Sequence, residues 1–166
     1  MTTQNQLFRR VEKRLARGRR LTTTADASAR LAKVRQHGTQ PELAVRRAAS
    51  RLGLRYTLKN RDLPGSPDLA NRTKRFAIFV HGCFWHRHVG CSRATTPKTN
   101  RAFWRAKFKR NQARDQDALW ALRRWGYIAV VIWECETRKP QTNQMRLQQL
   151  TRLREASHAQ SSRGAS

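Results

Sequence analysis

A chain of 166 residues suits a single globular domain, and its 36 Lys+Arg against 10 Asp+Glu give a formal charge of +26 at pH 7. Such an excess points to a polyanionic partner, nucleic acid first, because neutralising phosphates releases their counterions. It leaves little room for a membrane or secreted protein: no apolar run approaches the roughly 18 residues that span a bilayer, and no apolar stretch with a small-residue cleavage site marks a signal peptide.

Residues 1–27 read as a basic, flexible arm. Its segment from Phe8 to Arg17 is able to form a basic amphipathic helix, with some likeness to an organelle transit peptide, but a solvated arm trailing on DNA is the plainer reading. A folded unit is expected over 28–156, followed by a Ser/Gln/Arg-rich disordered tail at 157–166 that has nothing to bury. Within the unit, Thr39-Gln40-Pro41-Glu42 is a capping box with proline in the first turn, so a helix starts there and stops at Gly53. Leu54 to Leu58 reads as a short strand. Leu63-Pro64-Gly65-Ser66-Pro67-Asp68-Leu69-Ala70 reads as a turn entering a second strand, since prolines suit a strand's start and not its middle. Phe76 to Val80 is an apolar run bounded by charge, a buried third strand. From about Asn100 to Trp125 a helical period sets Trp104, Phe108, Leu119 and Leu122 on one face, and Gly126 ends it. Tyr127 to Trp133 is continuously apolar, which suggests a strand covered on both faces. The predicted architecture is α/β, a small mixed sheet flanked by helices.

The chemistry concentrates in His81-Gly82-Cys83-Phe84-Trp85-His86-Arg87-His88-Val89-Gly90-Cys91, directly after the third strand. Loops on rigid strands are where function gathers. Three cysteines are an odd number, and a disulfide framework would leave one over. Cys83, His88, Cys91 and the distant Cys135 add up to a Cys₃His set able to hold structural Zn²⁺ if the strands before Cys83 and Cys135 are neighbours. Buried cysteines in a reducing compartment explain the same residues without a metal. A thiolate nucleophile is a weaker alternative, because no general base is paired with it.

Asp68, at a strand entrance one short hairpin before the cluster, is either a turn aspartate or a functional carboxylate. His81 and His86, left over from the zinc set, suit phosphodiester chemistry as base or phosphate ligand and as acid toward the leaving oxygen. A lone histidine would be read as structural, whereas two flanking a metal loop in a polyanion binder favour function. Asp115 falls on the helix face of Trp104, Phe108 and Asn111, and a carboxylate there calls for a partner such as a histidine. Phe84, Trp85 and Trp104 are candidates for core or for wedges that unstack bases. Arg46, Arg47, Lys107, Lys109 and Arg110 fit phosphate contacts and solvated faces equally well.

Taken together, Gly38-Thr39-Gln40-Pro41-Glu42, Leu63 to Asp68, Val80 to Cys91, Thr96 to Asn100, Phe103-Trp104, Asn111, Arg114-Asp115 and Trp133-Glu134-Cys135 resemble the very short patch repair (Vsr) endonucleases in motif and order. The resemblance spans roughly residues 28–137. It implies a restriction-endonuclease-like core and a strand-specific DNA mismatch endonuclease, which nicks 5′ to the thymine of T:G mismatches arising from 5-methylcytosine deamination. By the same resemblance, Asp68 and the backbone carbonyl of Val80 hold catalytic Mg²⁺, and Glu42 stands near the metal-bound waters. His81 and His86 act at the scissile phosphate with Asp115 supporting His86. Cys83, His88, Cys91 and Cys135 bind structural Zn²⁺, and Phe84, Trp85 and Trp104 wedge beside the mismatch. Leu31 stands where many members carry an intercalating methionine. The implied partners are double-stranded DNA containing a T:G mismatch and mismatch-repair proteins. A monomer is expected because cutting one strand needs no two-fold symmetry, and the expected location is cytoplasmic, at the nucleoid. Two rival readings remain: a non-catalytic zinc-stabilised nucleic-acid-binding module, and a Vsr-like nuclease acting on undamaged DNA.

Overall fold

The computed structural model describes the backbone of residues 37–163 and the side chains of 37–153. The arm at 1–27 and Leu31 lie outside them. Helix α1 (Gln40–Arg51) begins as the capping box predicts: the Glu42 amide donates to Thr39 Oγ1, and the Glu42 carboxylate accepts from the Gly38 amide and the Thr39 hydroxyl. It buries Val45 and Ala49 and ends before Gly53, whose φ of 68° is left-handed.

The strand predicted over Leu54 to Leu58 does not form. Only Thr57 pairs, in an isolated antiparallel bridge to Ala70. Side chains bond two of the segment's carbonyls, Asn60 Nδ2 donating to Thr57, which also accepts from the Ala70 amide, and Asn71 Nδ2 to Arg55. Leu54 is buried in the core and Tyr56 packs against it, but Leu58 is exposed.

Among the described residues the sheet has three strands in the order β1 (Leu69–Asn71), β2 (Phe76–His81), β3 (Ile128–Trp133). β1 and β2 form an antiparallel hairpin that sets Leu69 opposite Ile78 and Asn71 opposite Phe76. β3 runs parallel to β2, from Phe76↔Ile128 to His81↔Trp133. A parallel neighbour needs a long crossover, and α2 (Arg101–Arg124) lies within it. The small mixed sheet expected from the sequence is therefore present.

Alternation along β2 divides the core in two. Phe76 and Ile78 join Val45, Leu69, Ile132, Leu147 and Leu150 on the face shared with α1 and the last helix. Ala77 and Phe79 join Leu63, Ala118, Leu122 and Ala129 under α2. β3 contributes to both clusters, as its uninterrupted apolar run predicts.

After β3 a single turn, α3 (Glu134–Thr137), carries Cys135, and α4 (Pro140–Arg163) follows. No local pattern predicts a helix here and disorder is expected from 157, yet the backbone is helical to Arg163. The signal is faint because Gln, Thr and Arg separate few apolar positions, and Leu147 and Leu150 become meaningful only when seated on the sheet. Among the described residues no helix is long and apolar enough to cross a membrane.

Candidate active site

The parallel register sets His81 beside Trp133, so β2 and β3 deliver their following loops to the same end of the sheet. After His81 the chain folds back tightly, the His86 amide donating to the Gly82 carbonyl and the His88 amide to the Cys83 carbonyl. These turns bring the residues of one loop into two separate groups.

The first group is His81, His86 and Asp115. The two imidazoles stack with centroids 3.9 Å apart and planes 13° from parallel. Asp115, projecting from the middle of α2, stands 2.6 Å from His86 Nδ1 and 3.9 Å from His81 Nδ1. The first distance is a short hydrogen bond and the second is too long for one. An ionised carboxylate accepts only, so His86 Nδ1 carries the proton and Nε2 is left as the ring's basic atom. Burial, followed by the neighbouring His86, pushes His81 down to about 4 against the opposing pull of Asp115, so this ring is neutral at pH 7. Although the donor atoms lie within 4.8 Å of one another, parallel rings aim their in-plane lone pairs side by side, not at a common point. The trio is arranged as a hydrogen-bonded pair with a stacked neighbour, a poor chelate.

Asp68 lies at the same end of the sheet, just before β1 and beside β2. Its Oδ2 accepts a 2.7 Å hydrogen bond from the amide of Val80, the residue before His81. Burial raises Asp68 to about 6, the Val80 N–H opposes, and the charge of Glu42 adds to the rise. A carboxylate destabilised by burial and by a second carboxylate suits a hard divalent cation, which takes oxygen ligands and supplies the missing positive charge. The hydrogen bond at Val80 uses its amide, whereas the resemblance assigns its carbonyl to the metal. Glu42 is buried, with its oxygens engaged by the α1 cap and, at 3.0 Å, by Arg46.

The second group is Cys83, His88, Cys91 and Cys135, whose ligand atoms all lie within 4.8 Å of one another. His88 Nδ1 stands 3.2 Å from Cys135 Sγ and 3.7 Å from Cys83 Sγ. A tetrahedral zinc with Zn–S of about 2.3 Å and Zn–N of about 2.0 Å spaces such edges at roughly 3.5 Å, so the donor set fits that ion. Burial pushes the Cys83 thiol up to about 12, an environment hostile to a bare thiolate and suited to one neutralised by metal. The three cysteines form no disulfide. Trp133 stacks on His88 at 4.3 Å and meets His81 edge-on at 5.6 Å, so one indole separates the two groups.

Phe84 and Trp85, between these groups in sequence, point to α2. Phe84 lies 5.4 Å from Trp104 and 5.2 Å from Phe108 between centroids, while Trp85 is 6.1 Å from Trp104. Asn111 Nδ2 holds the Trp85 carbonyl at 3.0 Å, and Lys107 Nζ sits 5.5 Å over the Trp85 ring. Phe84, Trp85 and Trp104 are half-buried and Phe108 is buried, so the cluster is anchored at one end and open at the other.

Sequence reasoning missed several supports. Trp133 reads as a strand end, and only the register shows it between two histidines. Asn60 carries no motif signal, yet it is buried with its amide fully bonded. Arg93, which pairs with Glu134 at 2.9 Å, ties the metal-type loop to α3.

Residues 21–93 match the family described as DNA mismatch endonuclease Vsr. The chain is 44% identical over 103 residues to the type II nicking enzyme V.XorIIP of Xanthomonas oryzae, covering 62% of this chain and 75% of that protein. Against the type II nicking enzyme V.NmeAIP of Neisseria meningitidis the identity is 33%, covering 78% and 92%. Against the DNA mismatch endonuclease Vsr of Escherichia coli it is 34%, covering 68% and 74%. Identity and coverage of this extent make the protein a member of the Vsr family of DNA endonucleases.

Proposed function

We propose that this endonuclease nicks one strand of duplex DNA 5′ to the thymine of a T:G mismatch, by Mg²⁺-dependent hydrolysis of the phosphodiester. The observation that carries the reading is a chain of contacts. Asp68 is bonded to Val80, the next residue His81 stacks on His86, and His86 is bonded to Asp115. A metal-seeking carboxylate and an oriented imidazole thereby share one end of the sheet, in keeping with a restriction-endonuclease-like core.

Asp68, with the Val80 carbonyl, would hold Mg²⁺, which when bound supplies positive charge to the phosphoryl oxygens and the leaving oxygen. His86 accepts the proton of the attacking water at Nε2, while Asp115 keeps the proton on Nδ1 and stabilises the imidazolium that forms. His81, neutral and stacked beneath it, fixes the plane of the His86 ring and offers one N–H to a phosphate oxygen. Cys83, His88, Cys91 and Cys135 would hold Zn²⁺, which cross-links the loop to α3. Phe84, Trp85 and Trp104 present ring faces and edges to the base stack. A wobble pair opposes unstacking least, so wedge and mismatch select one another. The +26 charge supplies affinity for any duplex, and the site's expected setting is the cytoplasm at the nucleoid, as a monomer working beside mismatch-repair proteins.

End-labelled duplexes with T:G, T:A or C:G pairs test the reading in Mg²⁺ with wild type and Asp68→Ala. The expected result is a nick on the thymine strand of T:G alone, lost in the variant. Equal cutting of paired duplex would make it a nuclease of undamaged DNA, and binding without cutting a zinc-stabilised binding module.

A further inference from the structure

The loop that delivers Asp68 is unfavourable by itself. Gly65 and Ser66 adopt consecutive left-handed conformations, φ 72° and 51°, and Ser66 lacks the freedom that glycine has there. Pro67 follows and has no amide to donate. A Cβ at Gly65 would lie 2.5 Å from Ala118 Cβ, so the loop also presses against α2. Among the described residues the carboxylate that follows has its side chain tied at Val80 alone, so the backbone that carries it needs a tie of its own.

Asn60 is that tie. Its side chain is 2% exposed, and its amide has all four of its hydrogen bonds. Nδ2 donates to the carbonyl of Pro67, the residue before Asp68, at 2.9 Å, and to the Thr57 carbonyl at 2.9 Å. Oδ1 accepts from Thr57 Oγ1 at 2.7 Å and from Arg72 Nη1 at 3.2 Å. Thr57 is itself bridged to Ala70 in β1, and Arg72 is clamped by Asp62. The amide therefore spans from the strand after Asp68 to the peptide before it. Thr57, Arg72 and Asp62 form the exposed side of this network and the Asn60–Pro67 bond its buried end, where one lost donor leaves the Pro67 carbonyl unpaired.

We propose that Asn60 is a positioning residue for the catalytic carboxylate: by gripping the Pro67 carbonyl it sets the backbone from which Asp68 reaches the metal. The inference rests on the reading of Asp68 as the Mg²⁺ ligand. Asn60 is buried and its amide is taken up wholly by protein atoms, so its loss is expected to act on metal affinity through Asp68 and to leave zinc and DNA binding alone.

The test uses the full-length, zinc-loaded protein, with Mn²⁺ as the probe ion read by electron paramagnetic resonance of the free ion. Asn60→Asp keeps the shape and removes both donors. It is expected to weaken Mn²⁺ binding about tenfold and to raise the Mg²⁺ needed for half-maximal nicking by a similar factor, as loss of an outer support typically does. Zinc content and affinity for a T:G duplex in EDTA stay within about twofold. Thr57→Val removes one anchor of Asn60 from an exposed position, and a shift of about threefold is expected, with an unchanged melting temperature. If Asn60→Asp fails to fold, Thr57→Val decides alone. A lowered melting temperature with Mn²⁺ affinity unchanged in both variants would overturn the proposal and leave Asn60 a structural residue only. Asp68→Ala separates the two levels: retention of Mn²⁺ binding there overturns the ligand reading itself, whereas its loss beside unaffected Asn60 and Thr57 variants overturns only the positioning role.

Discussion

His86 Nδ1 and Asp115 Oδ2 lie 2.6 Å apart although 29 positions separate them in the chain. A contact this short between a ring nitrogen and a carboxylate fixes both the tautomer and the orientation of the imidazole. Asp115→Asn keeps the shape and replaces an obligate acceptor by a group that is able to donate, which permits the wrong tautomer. Single-turnover nicking at saturating Mg²⁺ is expected to slow by a factor of about 10² to 10⁴, with T:G duplex affinity nearly unchanged. A rate within a few-fold of wild type would remove Asp115 from the mechanism.

The acid limb of the pH profile is expected to carry the titration of Asp68. Its carboxyl titrates at about 6, held up chiefly by burial, whereas His81 sits at about 4 and stays neutral through this range. Protons and Mg²⁺ compete for the same oxygens, so nicking is expected to fall as pH drops through 6, and raising Mg²⁺ should move the midpoint toward acid. A midpoint indifferent to Mg²⁺ would assign the limb to an imidazole.

The same displacement has a consequence for stability. Asp68 rises from 3.8 in the unfolded chain to about 6 when folded, so the unfolded chain releases its proton more readily. The fold is not penalised below pH 3.8, loses stability as pH rises from there through 6, and carries the whole cost above it, on the order of 3 kcal/mol. Asp68→Asn is expected to recover part of this at pH 7, up to roughly 2 kcal/mol, while abolishing nicking. Thermal melting without Mg²⁺ at pH 4 and pH 7 checks it: a gain equal at both values would not come from the charge.

Cys135 is the one cysteine of its group contributed from outside the loop at 83–91. Cys135→Ser is expected to lower zinc content below one per chain and to cost several kcal/mol, because the loop loses its cross-link to α3. Native mass spectrometry and melting curves with and without chelator are the measurements. Full stability at zero zinc would leave the four residues as packed thiols and an imidazole.

Trp85 and Trp104, both half-buried, lie 6.1 Å apart with their rings tilted by 48°. Removing a ring that stacks on a base costs about 1 to 3 kcal/mol. Trp85→Ala should therefore weaken binding to a T:G duplex roughly 10- to 100-fold and paired DNA much less. Equal losses on both duplexes would make the ring part of the core.

The sequence by itself determined the elements whose signals are local. The Thr39–Glu42 cap forms because its partners lie three residues apart, β2 forms because Phe76 to Phe79 are apolar on both faces, and α2 holds its period over 24 residues. It also named the members of the two polar groups, because metal ligands and paired imidazoles must be particular residue types. What only the tertiary structure decided is who meets whom. The parallel register of β2 and β3 brings Cys135 to His88 and slides Trp133 between His88 and His81. The strand expected at Leu54 to Leu58 shrank to one bridge at Thr57, with the Asn60 and Asn71 side chains bonding the Thr57 and Arg55 carbonyls, which no local pattern reveals. α4 was illegible because its helix gains stability from Leu147 and Leu150 on the sheet, not from propensity. Local chemistry is written in neighbouring residues, whereas a contact across 29 or 47 positions depends on the packing of elements between them.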